Sequence, residues 1–224
     1  MKLGSVMNIK ILLVMASVTL LAACATESSH VLEVAKVNTY QQSYHGAKTQ
    51  LAVGKFDNRS SMGGGIFSSG DRLGNQAKTI LMTHLQQTGR FSVLDRTNMD
   101  EIKTEANLKG VQQKLQGARY VVTGDITEFG RKNVGDQQLF GILGQGKSQI
   151  AYAKVSLNIV DVQTSEVVFS SQGSGEFKLS SREILGTGGN AGYDGTLNGK
   201  VMDLAIREAV NNLVQGIEQN QWKP

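Results

Sequence analysis

The sequence predicts an α+β fold, with a mixed or antiparallel sheet, flanking helices and one or two β-hairpin extensions. Three observations carry that expectation. Ala153, Val155, Leu157 and Ile159 alternate with Lys154, Ser156, Asn158 and Val160, which is the period of a half-buried strand. Asp161 to Ser165 has turn chemistry and Glu166 to Ser171 runs back from it, so two adjacent strands pair antiparallel. Elsewhere the period is helical, and strands and helices follow one another in mixed order.

The elements follow along the chain. Leu51 to Phe56 reads as a first strand, closed by Asp57, Asn58, Arg59 and Ser60, residues whose short polar side chains favour turns. Ser60 to Gly70 is a glycine and serine loop that contains Met62, Ile66 and Phe67. From Asp71 the period changes: Leu73, Ala77, Ile80, Leu81 and Leu85 fall on one helical face, with Gly89 placed as a stop. Phe91 to Leu94 is a short strand. Asn98 to Asn107 is a short helix with Met99, Ile102 and Ala106 expected inward, and Val111 and Leu115 suggest a further turn or two. Tyr120 to Ile126 is a strand. Lys200 to Gln219 is a final helix with Val201, Leu204, Ala205, Ile206, Ala209, Leu213 and Ile217 apolar. The single proline is Pro224, so none interrupts these elements.

The amino-terminal segment has a different character. Lys2 and Lys10 precede an apolar run from Ile11 to Ala23, the length and flanking charge of a secretory signal core and too short to span a bilayer as a helix. Met1 or Met7 is the start, since Met7 to Lys10 is itself a complete charged leader. The run ends Leu21-Ala22-Ala23-Cys24, and Cys24 is the single cysteine, so no intramolecular disulfide forms. Small residues followed at once by cysteine resemble the bacterial lipobox, in which the thiol receives diacylglycerol and cleavage falls just before it. Each buried CH₂ of an acyl chain contributes roughly 0.8 kcal/mol, so several chains anchor a protein stably. Ala25 rather than aspartate follows, which by resemblance to sorting rules implies the outer membrane. Residues 1–23 are thus expected as signal peptide, 24–48 as a lipidated polar tether, and 49–224 as the folded domain. Without Lys2 and Lys10 the chain has 21 basic against 19 acidic residues, and no basic cluster with interleaved aromatics points to nucleic acid.

Enzyme signatures are not expected. His30, His45 and His84 are scattered, so they read as neither a metal nor a catalytic cluster. Gly141 to Gly146 and Gly186 to Gly189 look like phosphate loops but lack the strand-loop-helix setting and the charged partner, and read as turns. Ser180 and Ser181 lack the context of a nucleophile elbow. No cofactor is expected.

Taken together, Lys55-Phe56-Asp57-Asn58, the helix at 73–88, Arg90 to Arg96, Ala118 to Gly124, Val155 to Val167 and the terminal helix with Ala205-Ile206 resemble the family of the curli secretion channel, CsgG/HfaB. The similarity spans about residues 50 to 222. It implies an outer-membrane lipoprotein with an α+β periplasmic domain, no catalytic activity, and a role in secretion or assembly of extracellular fibres. The resemblance further implies a homo-oligomeric ring in which each subunit gives two β-hairpins to a shared barrel. A loop after the first strand would line its constriction, which places Ile66, Phe67 and Ser68 at the narrowing. Secreted fibre subunits or envelope lipoproteins are the implied partners. In the alternative, the same domain is a non-pore adaptor or activator of an envelope machine such as a peptidoglycan synthase, and a third reading is a ligand-binding domain built on the glycine loops.

A membrane strand needs about 9–11 residues with an apolar outward face. The segment from Ile126 to Tyr152 is long enough, with Leu139, Phe140, Ile142 and Leu143 near its tip. Its arms carry Glu128, Arg131, Lys132 and Asp136, each costing roughly 2–4 kcal/mol if turned to mid-bilayer lipid. Glu128, Lys132 and Asp136 share one parity and Arg131 has the other. The second candidate hairpin, Gly173 to Asn198, begins with Phe177 and Leu179 alternating against Lys178 and Ser180, but its return arm is rich in glycine.

Overall fold

Alternating apolar positions build five strands in the described part of the computed structural model, which covers residues 35–61, 72–137, 145–183 and 196–224. The strands are β1 (Thr49–Asn58), β2 (Phe91–Leu94), β3 (Tyr120–Gln137), β4 (Gln145–Asp161) and β5 (Val167–Glu183). The helices are α1 (Arg72–Gln87), α2 (Met99–Leu108) and α3 (Thr196–Glu218). The sheet order is β2-β1-β3-β4-β5. β1 lies parallel to both β2 and β3, whereas β3, β4 and β5 pair antiparallel. The sheet is therefore mixed, and α1 makes the crossover that parallel neighbours require between β1 and β2.

One face of the sheet carries the core. Leu51, Val53 and Phe56 of β1, Val122 and Ile126 of β3, and Ala153, Val155, Leu157 and Ile159 of β4 are buried beneath the helices. Their alternate neighbours Thr123, Asp125, Ser156 and Asn158 are half-buried on the opposite face. Ala77, Leu81 and Leu85 of α1 and Met202, Ile206, Ala209 and Leu213 of α3 close the core at every third or fourth position. Each of the larger side chains contributes about 1.5–3 kcal/mol by leaving water. His84, 2% exposed, ties the two helices together: its Nε2 lies 2.8 Å from Asp203 Oδ1, and its Nδ1 lies 3.3 Å from Gln87 Oε1.

α3 runs antiparallel to β5 at very short range. A Cβ on Gly173 would sit 2.2 Å from Ala205 O and 2.3 Å from the Ala209 nitrogen, and one on Gly175 would sit 2.7 Å from Leu204 Cβ. The hydroxyl of Ser171 donates to Ala209 O at 3.0 Å, and Asn212 Nδ2 donates to Gln172 O at 2.8 Å. Past α3 the chain turns at Asn220 (φ 58°) and lays Trp222 edge-on to Tyr120 and stacked on Phe169.

Four features differ from the sequence reading. The polar segment expected as tether up to residue 48 is anchored from Val37 onward, since Val37 and Thr39 are buried. α2 forms, but none of its residues is buried: Ile102 is exposed, and Met99 and Ala106 do not reach the core. Its entry is held locally instead. The Asp95 carboxylate accepts from Asn98 Nδ2 at 2.6 Å and from the Thr97 N–H at 2.7 Å, in that order of effect, and is held below its ordinary acidity range. Val111 and Leu115 are exposed outside any helix. Finally, Thr196 to Asn198, expected in the return arm of a second hairpin, open α3.

Gly173→Val should force helix and sheet apart. Overpacking of this kind costs about 3 kcal/mol, a fall in Tm of roughly 6–12 °C for a domain of this size. A thermal melt unchanged from wild type would show that the close approach is not required.

Candidate functional site at the far end of the sheet

β3, β4 and β5 outrun the helices. Their rungs place Arg131 opposite Ala151 and Ala151 opposite Phe177, and this level is where α3 makes its first contacts with the sheet. Arg131 donates to Asn198 Oδ1 from Nε (2.9 Å) and Nη2 (2.6 Å), and Lys200 Nζ stands 5.0 Å from the Phe177 ring centre. Beyond that level the pairing continues out to Gln137↔Gln145 and Gln145↔Glu183. Six further residues per strand, at about 3.3 Å each, project the three-stranded ribbon roughly 20 Å past the start of the helix contacts.

The charge pattern along this ribbon is partly resolved. Arg131, whose parity set it apart in the sequence, lies on the helix side and is half-buried against Asn198. A bulge between Ile126 and Glu128 accompanies the change of register. Glu128 and Lys132 are exposed on β3, and Lys154 Nζ of β4 stands 3.6 Å from Glu128 Oε1. Gly146, read as part of a turn, is paired within β4.

β1 stops at the same end. Asn58 is level with Ile126, and the Arg59 N–H donates to Ile126 O at 3.0 Å, extending the pairing by one bond. Ser60 is folded back on Asn58: its N–H and its hydroxyl both donate to Asn58 Oδ1, at 3.1 and 2.6 Å. Arg59 Nε lies 2.5 Å from Asp125 Oδ1, and its Nη2 lies 3.9 Å from Asp57 Oδ2. The hydrogen bond to Asp125, then its charge, raise the Arg59 guanidinium above its ordinary value, so Arg59 keeps its charge beside Asp125. Lys55 Nζ completes the cluster 2.8 Å from Asp57 Oδ1. The chain entering the Ser60–Gly70 loop is thus pinned to β3 on its way out.

The described flanks of three chain segments share this end: Ser61 and Arg72, Gln137 and Gln145, Glu183 and Thr196. Gly199 faces Gln76, so α1 and α3 begin side by side there. Cys24 and the expected constriction residues Ile66, Phe67 and Ser68 lie outside the described residues, as do Leu139, Phe140, Ile142, Leu143 and Gly186 to Gly189. Sequence reasoning missed the roles of Asp125 and Asn198. The wrong-parity charge at Arg131 was the one signal that a polar partner was needed.

Among the described residues no three His, Cys, Asp or Glu side chains gather as a metal ion would require. No described helix is long and apolar enough to cross a membrane, a statement that does not bear on strands.

Comparison with known proteins places the chain. The family model for the curli production assembly/transport component CsgG matches residues 33–224. A protein of Neisseria meningitidis serogroup B, provisionally named a lipoprotein, is 66% identical over 205 residues, 91% of this chain and 92% of its own. Solved structures with some likeness include the lipoprotein GNA1162 from Neisseria meningitidis, at 13% identity, 76% of this chain, 99% of that chain and a TM-score of 0.37. A PelC dodecamer from Paraburkholderia phytofirmans matches at 15% identity, 73% of this chain, 87% of that chain and a TM-score of 0.36. On the family model and the meningococcal relative, this chain belongs to the CsgG family of curli production assembly/transport components.

Proposed function

We propose that the protein is an outer-membrane lipoprotein, anchored through Cys24 and facing the periplasm, that serves secretion or assembly of extracellular fibres or envelope components. In this reading copies of the chain form a ring, and the projecting strands of β3, β4 and β5 enter the bilayer as part of a shared wall. The observation that carries the reading is the common end of the domain. The strands run on past the helices there, and the loop after β1 leaves from the same place.

Length and charge support it. Beyond the Arg131–Ala151 level each strand continues for six residues, Lys132 to Gln137 and Gln145 to Ile150, over half the roughly 9–11 that a membrane strand needs. The Arg131 charge that would face lipid is taken up by Asn198 at the foot of the ribbon. Glu128 and Lys132 share the other face, where a lumen would accept them. Pinning of Arg59 to Asp125 gives the Ser60–Gly70 segment a defined point of departure beside that wall.

Two substitutions test the reading. Cys24→Ala should abolish palmitate labelling and release the protein from outer-membrane fractions; unchanged labelling removes the anchor. If Phe67 narrows a channel, Phe67→Ala should raise single-channel conductance in planar bilayers. Wild-type protein that is extracted only as a monomer and never conducts would instead support the periplasmic adaptor.

A further inference from the structure

The end of the sheet remote from the projecting strands carries two exposed apolar patches, one at each edge. α2 forms the first. It has ten residues and buries none of them, whereas a helix so short is marginal in water without a tertiary contact. Ile102 and Leu108 of this helix, and Val111 and Leu115 of the segment after it, are exposed, Leu108 at 77% and Leu115 at 59%. The arm is nevertheless held in position. Asp95 secures its entry, Gly110 turns it at a φ of 67°, and on the return Gln116 Oε1 accepts from Gln50 Nε2 at 3.1 Å while Gln116 O accepts from Arg96 Nη2. Apolar side chains that are placed but left in water mark a surface that a second body completes. The other patch is the corner between β4 and β5. Val162 and Val167, each 53% exposed, flank the turn there, and Val160 is the register partner of Val167. Both patches share one level: the row Leu94, Ala52, Val121, Val160, Val167 crosses all five strands, and α2 follows Leu94 at its β2 end.

We propose that the arm of one copy, α2 with residues 109–116, docks on the β4–β5 corner of a second copy of this chain. Leu108, Val111 and Leu115 then cover Val160, Val162 and Val167 of the neighbour. Two different surfaces at opposite edges of one sheet make a head-to-tail contact, which closes into a ring, whereas a surface that meets its own like stops at a dimer. Charge favours a second copy as the occupant. Exposed Lys109 and Lys114 border the apolar side chains of the arm, and exposed Glu166 borders Val167. Exposed Glu105 of α2 has its counterpart in Arg119, whose carbonyl accepts from the Val162 N–H. Rim pairs of this kind orient a contact more than they tighten it. Because both patches lie at the end away from Gln137 and Gln145, every copy in such a ring sends its projecting strands the same way. The inference rests on the ring in the proposed function and names the surface that closes it.

The test uses the full-length lipidated protein in detergent, with Leu115→Cys and Val167→Cys introduced separately and together. Both positions are exposed, so thermal melts should match wild type. A short bismaleimide followed by denaturing electrophoresis should turn the double variant into a ladder of dimers, trimers and larger species, while each single variant stays a monomer. A double variant without a ladder overturns the proposal. So does dimerisation of Leu115→Cys alone at the same yield, which would mean that like surfaces meet. As a second readout, Leu108→Asp combined with Leu115→Asp should lower the mass measured by light scattering from that of a ring to that of one chain; an unchanged ring overturns the contact. The membrane reading fails separately. A ladder from protein that never conducts upholds the contact and removes the pore, and a conducting ring without a ladder does the reverse.

Discussion

The contact on which the rest of the structure depends is the approach of α3 to β5 without intervening side chains. Gly173 and Gly175 offer no Cβ, and Ala205 and Ala209 offer only one carbon each, so two backbones meet where a helix and a sheet are normally separated by a layer of larger groups. The approach sets the depth of the core under α3 and lets Ser171 and Asn212 bond across it. It also sets α3 against the strands so that its first described residues meet the sheet at the Arg131 and Phe177 level. From the same geometry Asn198 comes within reach of Arg131 and Trp222 within reach of Tyr120 and Phe169.

Much of this fold was legible in the sequence because burial on one face leaves a periodic trace. The alternation of Ala153 to Val160, the helical spacing of Ala77, Leu81 and Leu85, and the apolar stripe of the last helix all appear in the structure as written. Asp161 to Ser165 forms the turn, with Ser165 at a φ of 59°. What was illegible was tertiary. Nothing local distinguishes Met99, Ile102 and Ala106, which fail to meet a core, from Leu81 and Leu85, which do. Val37 closes a short apolar cluster (Val31, Leu32, Val34, Ala35) inside the segment read as a tether, and it is buried. The candidate hairpin at 126–152 is matched by the paired arms of β3 and β4, whereas of the one expected at 173–198 the first arm lies in β5 and Thr196 to Asn198 open α3.

The candidate site divides in the same way. Its sequence signals were indirect: a glycine-rich loop after β1, charged arms of mixed parity, a lone cysteine at a small-residue cut. The structure adds the relation between the described flanks, which no local motif encodes. Arg59 is pinned to Asp125, Arg131 is turned to Asn198, and the strands stay paired beyond that level. The proposed membrane role rests on these strands, which stay paired beyond the level where α3 first meets the sheet.

That point is open to a direct measurement. Spin labels placed one at a time along β3 from Glu128 to Gln137, in protein reconstituted into lipid vesicles, report collision with lipid-soluble oxygen and with a water-soluble nickel chelate. Strands that enter a bilayer as part of a barrel wall should show the two accessibilities alternating with a period of two residues and in opposite phase. High nickel accessibility at every position, with no alternation, would contradict the account and leave the strands in water.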